Sequence, residues 1–180
     1  MLLVVDNGSV FTKNIDDFLC KKTIDYKLVS FDKLKPEEVE KFDSFILSGR
    51  RKNNQQMNAL NSKIINHAIT EKKPLLGICY GAEILALTTG GTIRKMRLAQ
   101  KGESTVTVVE KNPLCNGTIQ VYQSHNFEIS RLGKSLIQLA SSDTCEYEII
   151  QYQDSKIFGT QFHPEMTQDG ISLIERFVLL

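Results

Sequence analysis

The chain has 180 residues, a net charge of +1, and 41% hydrophobic and 24% charged residues, as expected of one globular domain spanning 1–180. Near-neutral charge gives no bulk attraction for nucleic acid or an anionic membrane surface, and no stretch approaches the roughly 18 apolar residues of a membrane helix. Met1–Asp6 lacks the basic region and apolar length of a signal peptide, so the expected location is cytoplasmic.

In chain order, Leu2–Val5 is a short apolar run that reads as a strand, and Phe11–Cys20 places Ile15, Phe18 and Leu19 on one side of a helix. Tyr26–Phe31 reads as a second strand. Pro36–Phe42 opens with proline followed by Glu37 and Glu38, a helix start signal. Phe45–Leu47 is a third strand, followed by a polar loop from Gly49 to Asn54. Met57, Leu60, Ile64, Ile65 and Ala68 then recur at helical steps. Pro74–Ile78 is nearly continuous in apolar residues, as a buried parallel strand should be, and Ala82–Thr88 is helical. Strands alternating with helices predict βαβ units.

The second half changes character. Thr92–Met96, Thr105–Val109, Thr118–Gln123, Ile137–Ala140, Glu146–Tyr152 and Lys156–Gln161 all read as strands, with few helices between them. Some of them must therefore be antiparallel. Gly170–Leu180 closes the chain as a helix with Ile171, Ile174, Phe177 and Val178 inward. The expected fold class is α/β: an open, mostly parallel central sheet flanked by helices, with a smaller antiparallel β portion in the second half.

Cys20, Cys79, Cys115 and Cys145 form no CxxC pair and match no zinc spacing. Free thiols and no metal site are expected. Cys79 stands apart because Gly77-Ile-Cys-Tyr-Gly81 joins a buried strand to a helix. A nucleophile on so sharp a turn needs small neighbours two residues away. The turn aims the sulfur out of the sheet at its carboxyl edge, where open α/β sheets hold ligands. The helix N-terminus beside it favours the thiolate. Taken alone, such a cysteine is as readily a packing residue.

A base is available in Gly159-Thr-Gln-Phe-His-Pro-Glu165. Pro164 keeps His163 extended. On an extended chain His163 and Glu165 point to the same side, so the carboxylate can set the imidazole tautomer and stabilise the imidazolium. The tripeptide alone would read as a surface turn.

The combination of strand, GxCxG, helix and, after about eighty residues, a strand ending in Gln161-Phe-His-Pro-Glu165 resembles the class I (triad) glutamine amidotransferases. The resemblance covers nearly the whole chain and implies a flavodoxin-like fold. It implies that Cys79, His163 and Glu165 are the catalytic triad. It further implies an oxyanion hole from the backbone N–H groups of Tyr80 and of the 49–50 loop, Gly49 and Arg50. Ser48-Gly49-Arg50-Arg51 departs from the family's SGGP at the second glycine, and Glu83 stands where the family's GxCxGxQ has glutamine. Arg50 at a positive φ would cost roughly 1 kcal/mol or more, so a different loop conformation or a partner-shaped hole is expected. Glu83 can hold an α-ammonium but cannot donate a hydrogen bond when ionised. Arg50–Lys52 reads as a solvated loop or a contact for an acidic partner or anionic substrate.

Val121-Tyr-Gln-Ser-His125 resembles the VWMSH segment of GMP synthase amidotransferase domains, and less the corresponding anthranilate or aminodeoxychorismate synthase segment. By that resemblance the Ser124–His125 backbone holds the substrate carboxylate. It also implies a separate synthetase subunit of the ATP pyrophosphatase type that uses ATP and magnesium, because no phosphate-binding GxxxxGK[ST] loop is present here. No cofactor is expected in this chain. Three alternatives stay open: another acceptor synthetase, a weakly active regulatory subunit, and a stand-alone γ-glutamyl hydrolase. His67 is expected to be exposed.

Overall fold

The computed structural model describes residues 1–180. Its strands are β1 (Leu2–Asn7), β2 (Tyr26–Ser30), β3 (Ser44–Arg50), β4 (Leu75–Ile78), β5 (Thr92–Val108), β6 (Thr118–Arg131), β7 (Leu136–Ser141), β8 (Ile149–Tyr152) and β9 (Ile157–Thr160). Its helices are α1 (Thr12–Lys21), α2 (Gln55–Thr70), α3 (Tyr80–Thr88) and α4 (Gln168–Val178). The nine strands form one sheet in the order β2-β1-β3-β4-β9-β8-β7-β5-β6. Pairings from β2 through to β9 are parallel, and those from β9 to β6 are antiparallel. This is the mixed architecture expected, with β9 as the seam.

Alternation along β1 builds two cores. Leu2 and Val4 face α1 and α4, where Ile15, Phe18, Leu19, Leu173, Ile174 and Phe177 pack. Leu3 and Val5 face α2 and α3, through Met57, Ile64, Ile65, Ala82 and Leu85. The sheet is thus sandwiched between two helical layers, and β4 and β9, buried along their whole length, form its middle.

Several boundaries differ from the sequence expectation. Pro36–Lys41 is a 3-10 turn rather than an α-helix; six residues with one buried side chain, Val39, give an α-helix too little to pack. The two strands expected at Thr92–Met96 and Thr105–Val109 are one strand, β5, and β6 runs on to Arg131. Only Thr107 and Val108 of β5 pair with β7, so the rest of the β5–β6 hairpin extends beyond the sheet. Its residues are mostly exposed and carry charge on both faces, which hid the strand period. The hairpin register shifts between Lys95 and Gln100, bulging the Met96–Ala99 segment outward. Glu146–Glu148 precede β8 rather than joining it. His67 is half-buried against Phe45, edge to face at 6.0 Å, rather than exposed.

Candidate active site

β4 and β9 lie side by side in parallel, with Ile78 opposite Thr160. Two segments far apart in sequence therefore leave the sheet at one edge: Cys79 after β4, and Gln161–Glu165 after β9. The Cys79 amide donates to the Thr160 carbonyl oxygen at 2.7 Å, which ties them together.

Cys79 sits at φ 51°, ψ −101°, at the N-terminus of α3. A positive φ costs a non-glycine residue about 1–3 kcal/mol and persists only where its surroundings enforce it. Here they do. A Cβ on Gly77 would lie 2.4 Å from the Gly81 carbonyl carbon, and one on Gly81 would lie 2.4 Å from the Leu47 carbonyl oxygen. The two glycines are needed for close backbone packing across the turn.

The His163 segment is held equally firmly. The Gln161 amide donates to Glu148 O at 2.8 Å and the His163 amide to Tyr122 O at 2.9 Å. His163 Nδ1 lies 2.9 Å from Glu165 Oε1, and both residues are buried. That contact leaves Nε2 as the free ring nitrogen when Nδ1 carries its proton toward the carboxylate. Phe11 packs edge to face on the imidazole at 4.7 Å. A Cβ at Gly49 would come within 2.9 Å of His163 Cε1, so this loop position has no room for a side chain.

A cleft of about 410 Å³ opens on this edge, lined by Arg50, Cys79, Tyr80, Glu83, Ser124 and His125 among others. The expected second-tier residues are therefore brought together, except Gly49, which sits behind the cleft against His163. Arg50 does not adopt a positive φ. It ends β3 as an extended residue, so the loop takes the different conformation that was one of two expectations. Its guanidinium lies 4.3 Å over the Tyr80 ring. Nη1 donates to Asn53 Oδ1 at 2.5 Å and to Asn58 Oδ1 at 3.4 Å. Nη2 lies 3.7 Å from Glu83 Oε2. Arg50 is thus not a freely solvated loop residue.

Burial pushes the Cys79 thiol well above its ordinary range, and the Glu83 and Glu165 carboxylates push it the same way. The Tyr80 N–H and the Arg50 guanidinium pull it back. The expected help from the helix N-terminus is thus present in direction but smaller than the desolvation. Burial also raises the Glu83 carboxyl, opposed first by Arg50. Burial lowers the His125 imidazole, opposed by its contact with the Phe127 carbonyl oxygen at 2.7 Å. Its other nitrogen lies 2.9 Å from Gln123 Oε1.

Sequence reasoning missed the asparagines. Asn7 exchanges hydrogen bonds with Asn61, and its backbone N–H and Nδ2 bind Ser48 Oγ and O, at 2.8–3.2 Å. This buried network fixes the Ser48-Gly49 loop. Asn58 accepts from the Tyr80 hydroxyl at 2.8 Å. Asn58 and Asn61 lie three apart on α2, and asparagine is a poor choice for a helix interior; that spacing was the available signal.

The glutamine amidotransferase class-I family model matches residues 3–179. One subunit of the glutamine-hydrolysing GMP synthase of Thermoplasma acidophilum is 31% identical over 98% of this chain and 90% of its own length. The glutamine-hydrolysing GMP synthase of Yersinia pestis is 25% identical over 99% of the chain, but the chain spans only 36% of that longer protein. A crystal structure of a GMP synthase subunit from Thermoplasma acidophilum superposes with a TM-score of 0.87 over 98% of this chain and 91% of that one, at 30% identity. A glutamine amidotransferase from Thermotoga maritima shares the fold at 18% identity, with a TM-score of 0.79 over 99% of this chain and 80% of that one. Sequence, fold and the edge where β4 and β9 meet agree, and the chain belongs to the class-I glutamine amidotransferase family.

Proposed function

We propose that this chain hydrolyses glutamine to glutamate and supplies the ammonia to a separate ATP-dependent synthetase subunit that aminates xanthosine monophosphate to GMP. The observation that carries the chemistry is the shared edge of β4 and β9, where Cys79 and the hydrogen-bonded pair His163–Glu165 leave adjacent parallel strands. The acceptor is supported by similarity, along nearly the whole length of both chains, to one subunit of a GMP synthase.

In this reading His163 takes the Cys79 proton through Nε2, and the sulfur attacks the side-chain amide carbon of glutamine. The tetrahedral oxyanion is met by the backbone N–H groups of Tyr80 and Arg50. Collapse breaks the C–N bond, and the imidazolium gives its proton to the departing nitrogen, releasing ammonia. His163 then activates water, which hydrolyses the γ-glutamyl thioester to glutamate and frees the thiol. Glu165 holds the imidazole in place throughout. Glu83 faces the substrate α-ammonium, and the Ser124–His125 backbone faces its carboxylate. ATP and magnesium belong to the synthetase subunit.

A second reading has one observation in its favour. The raised Cys79 thiol fits a chain that turns over slowly until its partner docks. One experiment separates these readings: the purified chain is mixed with a xanthylate-aminating subunit, xanthosine monophosphate, ATP, magnesium and glutamine, and GMP and glutamate are measured. Glutamine-dependent GMP that is lost in Cys79→Ala is expected. Absence of GMP with glutamate still formed would reassign the acceptor. Equal turnover by the wild type and Cys79→Ala would leave a non-catalytic subunit.

A further inference from the structure

Arg50 and Glu83 are the two cleft residues that break the family pattern, and they meet each other. Nη2 and Oε2 are 3.7 Å apart, inside ion-pair range but beyond hydrogen-bond distance. Their side chains are only 17% and 5% exposed. Two nearly buried charges held this loosely recover little of the cost of leaving water. Either one alone would be worse, since an unpaired buried guanidinium or carboxylate is strongly destabilising. The pair is nevertheless well positioned. Tyr80 fixes the guanidinium plane from below, and Asn53 and Asn58 hold Nη1. Glu83 lies in the first turn of α3, where the helix N-terminus favours a carboxylate. Both line the cleft beside Cys79.

Opposite charges set side by side in a cleft, with unused hydrogen-bonding capacity on each, match a ligand carrying the reverse pair. We propose that Arg50 and Glu83 act as one charged clamp that selects ligands with a free α-ammonium and a free α-carboxylate on the same carbon. Glu83 releases the guanidinium to take the ammonium. Arg50 meets the carboxylate from the β3 side, opposite the Ser124–His125 backbone on β6. One weak contact is exchanged for two charge-assisted ones. The clamp rests on the glutaminase reading above and adds a requirement to it: glutamine as the free amino acid, with N-acylated glutamine and glutamine blocked at its α-carboxylate excluded.

The test titrates three ligands into the full-length Cys79→Ala chain by calorimetry: L-glutamine, Nα-acetyl-L-glutamine and L-glutamine α-amide. L-Glutamine is expected to bind at least roughly ten-fold tighter than either blocked form. Glu83→Gln, added to that background, should selectively erode the preference over the acetylated ligand. Arg50→Gln should selectively erode the preference over the α-amide. Selectivity is a ratio between ligands on one protein, so a variant that folds poorly lowers every titration together and leaves the ratio in place. L-Glutamine binding with selectivity untouched by either variant overturns the clamp and spares the glutaminase reading. No L-glutamine binding at all overturns both.

Discussion

Desolvation at Cys79 outweighs the helix N-terminus beside it, so the thiol is protonated in the free chain at neutral pH. Two measurements follow. Iodoacetamide alkylation of Cys79, followed by peptide-resolved mass spectrometry to separate it from the exposed Cys20, is expected to titrate above the ordinary thiol value of 9.0. Glu83→Gln should bring that midpoint down, because Glu83 is the largest charge holding it up. A midpoint at or below 9.0 would contradict the burial argument. The second concerns Glu165, whose Oε1 faces His163 Nδ1 while Oε2 is buried with no partner. Glu165→Gln keeps the shape but removes the charge that stabilises the imidazolium. It should lower kcat by roughly 10³- to 10⁴-fold, with little change in KM, as expected for the orienting member of a triad. A loss confined to KM would move Glu165 from chemistry to binding.

Among the elements, α4 and the His-Pro-Glu turn share a backbone contact. A Cβ on Gly170 would lie 2.2 Å from the Pro164 carbonyl oxygen, and the Gly170 amide donates to Thr167 Oγ1 at 3.1 Å as the helix cap. Gly170→Ala must push α4 away from the turn carrying His163 and Glu165. Overpacking of this kind costs about 1–3 kcal/mol, or about 2–12 °C in Tm for a chain this long. Calorimetry should show that drop, and the glutaminase rate should fall with it; an unchanged Tm would mean that the turn yields freely. Elements like this one were legible in the sequence where burial is strong and local. Pro74–Ile78 and the face of α2 announce themselves by apolar run and period, and GxCxG and QFHPE carry their chemistry in five consecutive residues. The β5–β6 hairpin was not legible because it projects beyond the sheet, leaving no dry face to impose alternation on Lys95, Arg97, Lys101 and Glu103. The Arg50–Glu83 contact was not legible either. It depends on how a long arginine side chain folds over Tyr80, and no local pattern encodes that.

For the whole molecule, the same burial that shapes the site sets the limit of alkaline stability. Cys79, Cys115 and Cys145 are all buried free thiols. Burial is the largest cause raising each of them, Cys115 to about 11 and the other two further. Their ordinary value is 9.0. A group whose folded pKa exceeds its unfolded one contributes its full stability below the unfolded value and loses it as pH rises toward the folded value. Above pH 9 the unfolded chain sheds these protons while the folded chain keeps them. Each such thiol then removes up to about 1.4 kcal/mol per pH unit. Tm measured without reduction artefacts should hold steady from pH 7 to pH 8.5 and fall steeply toward pH 10.5. Replacing Cys145 by alanine should flatten that slope, even though the cavity lowers Tm at pH 7. The exposed Cys20 has no such leverage, so Cys20→Ala should leave the profile parallel to the wild type. A wild-type Tm that stays level to pH 10.5 would show that the three thiols ionise in the folded chain. The interior would then be wetter than a sheet sandwiched between two helical layers permits.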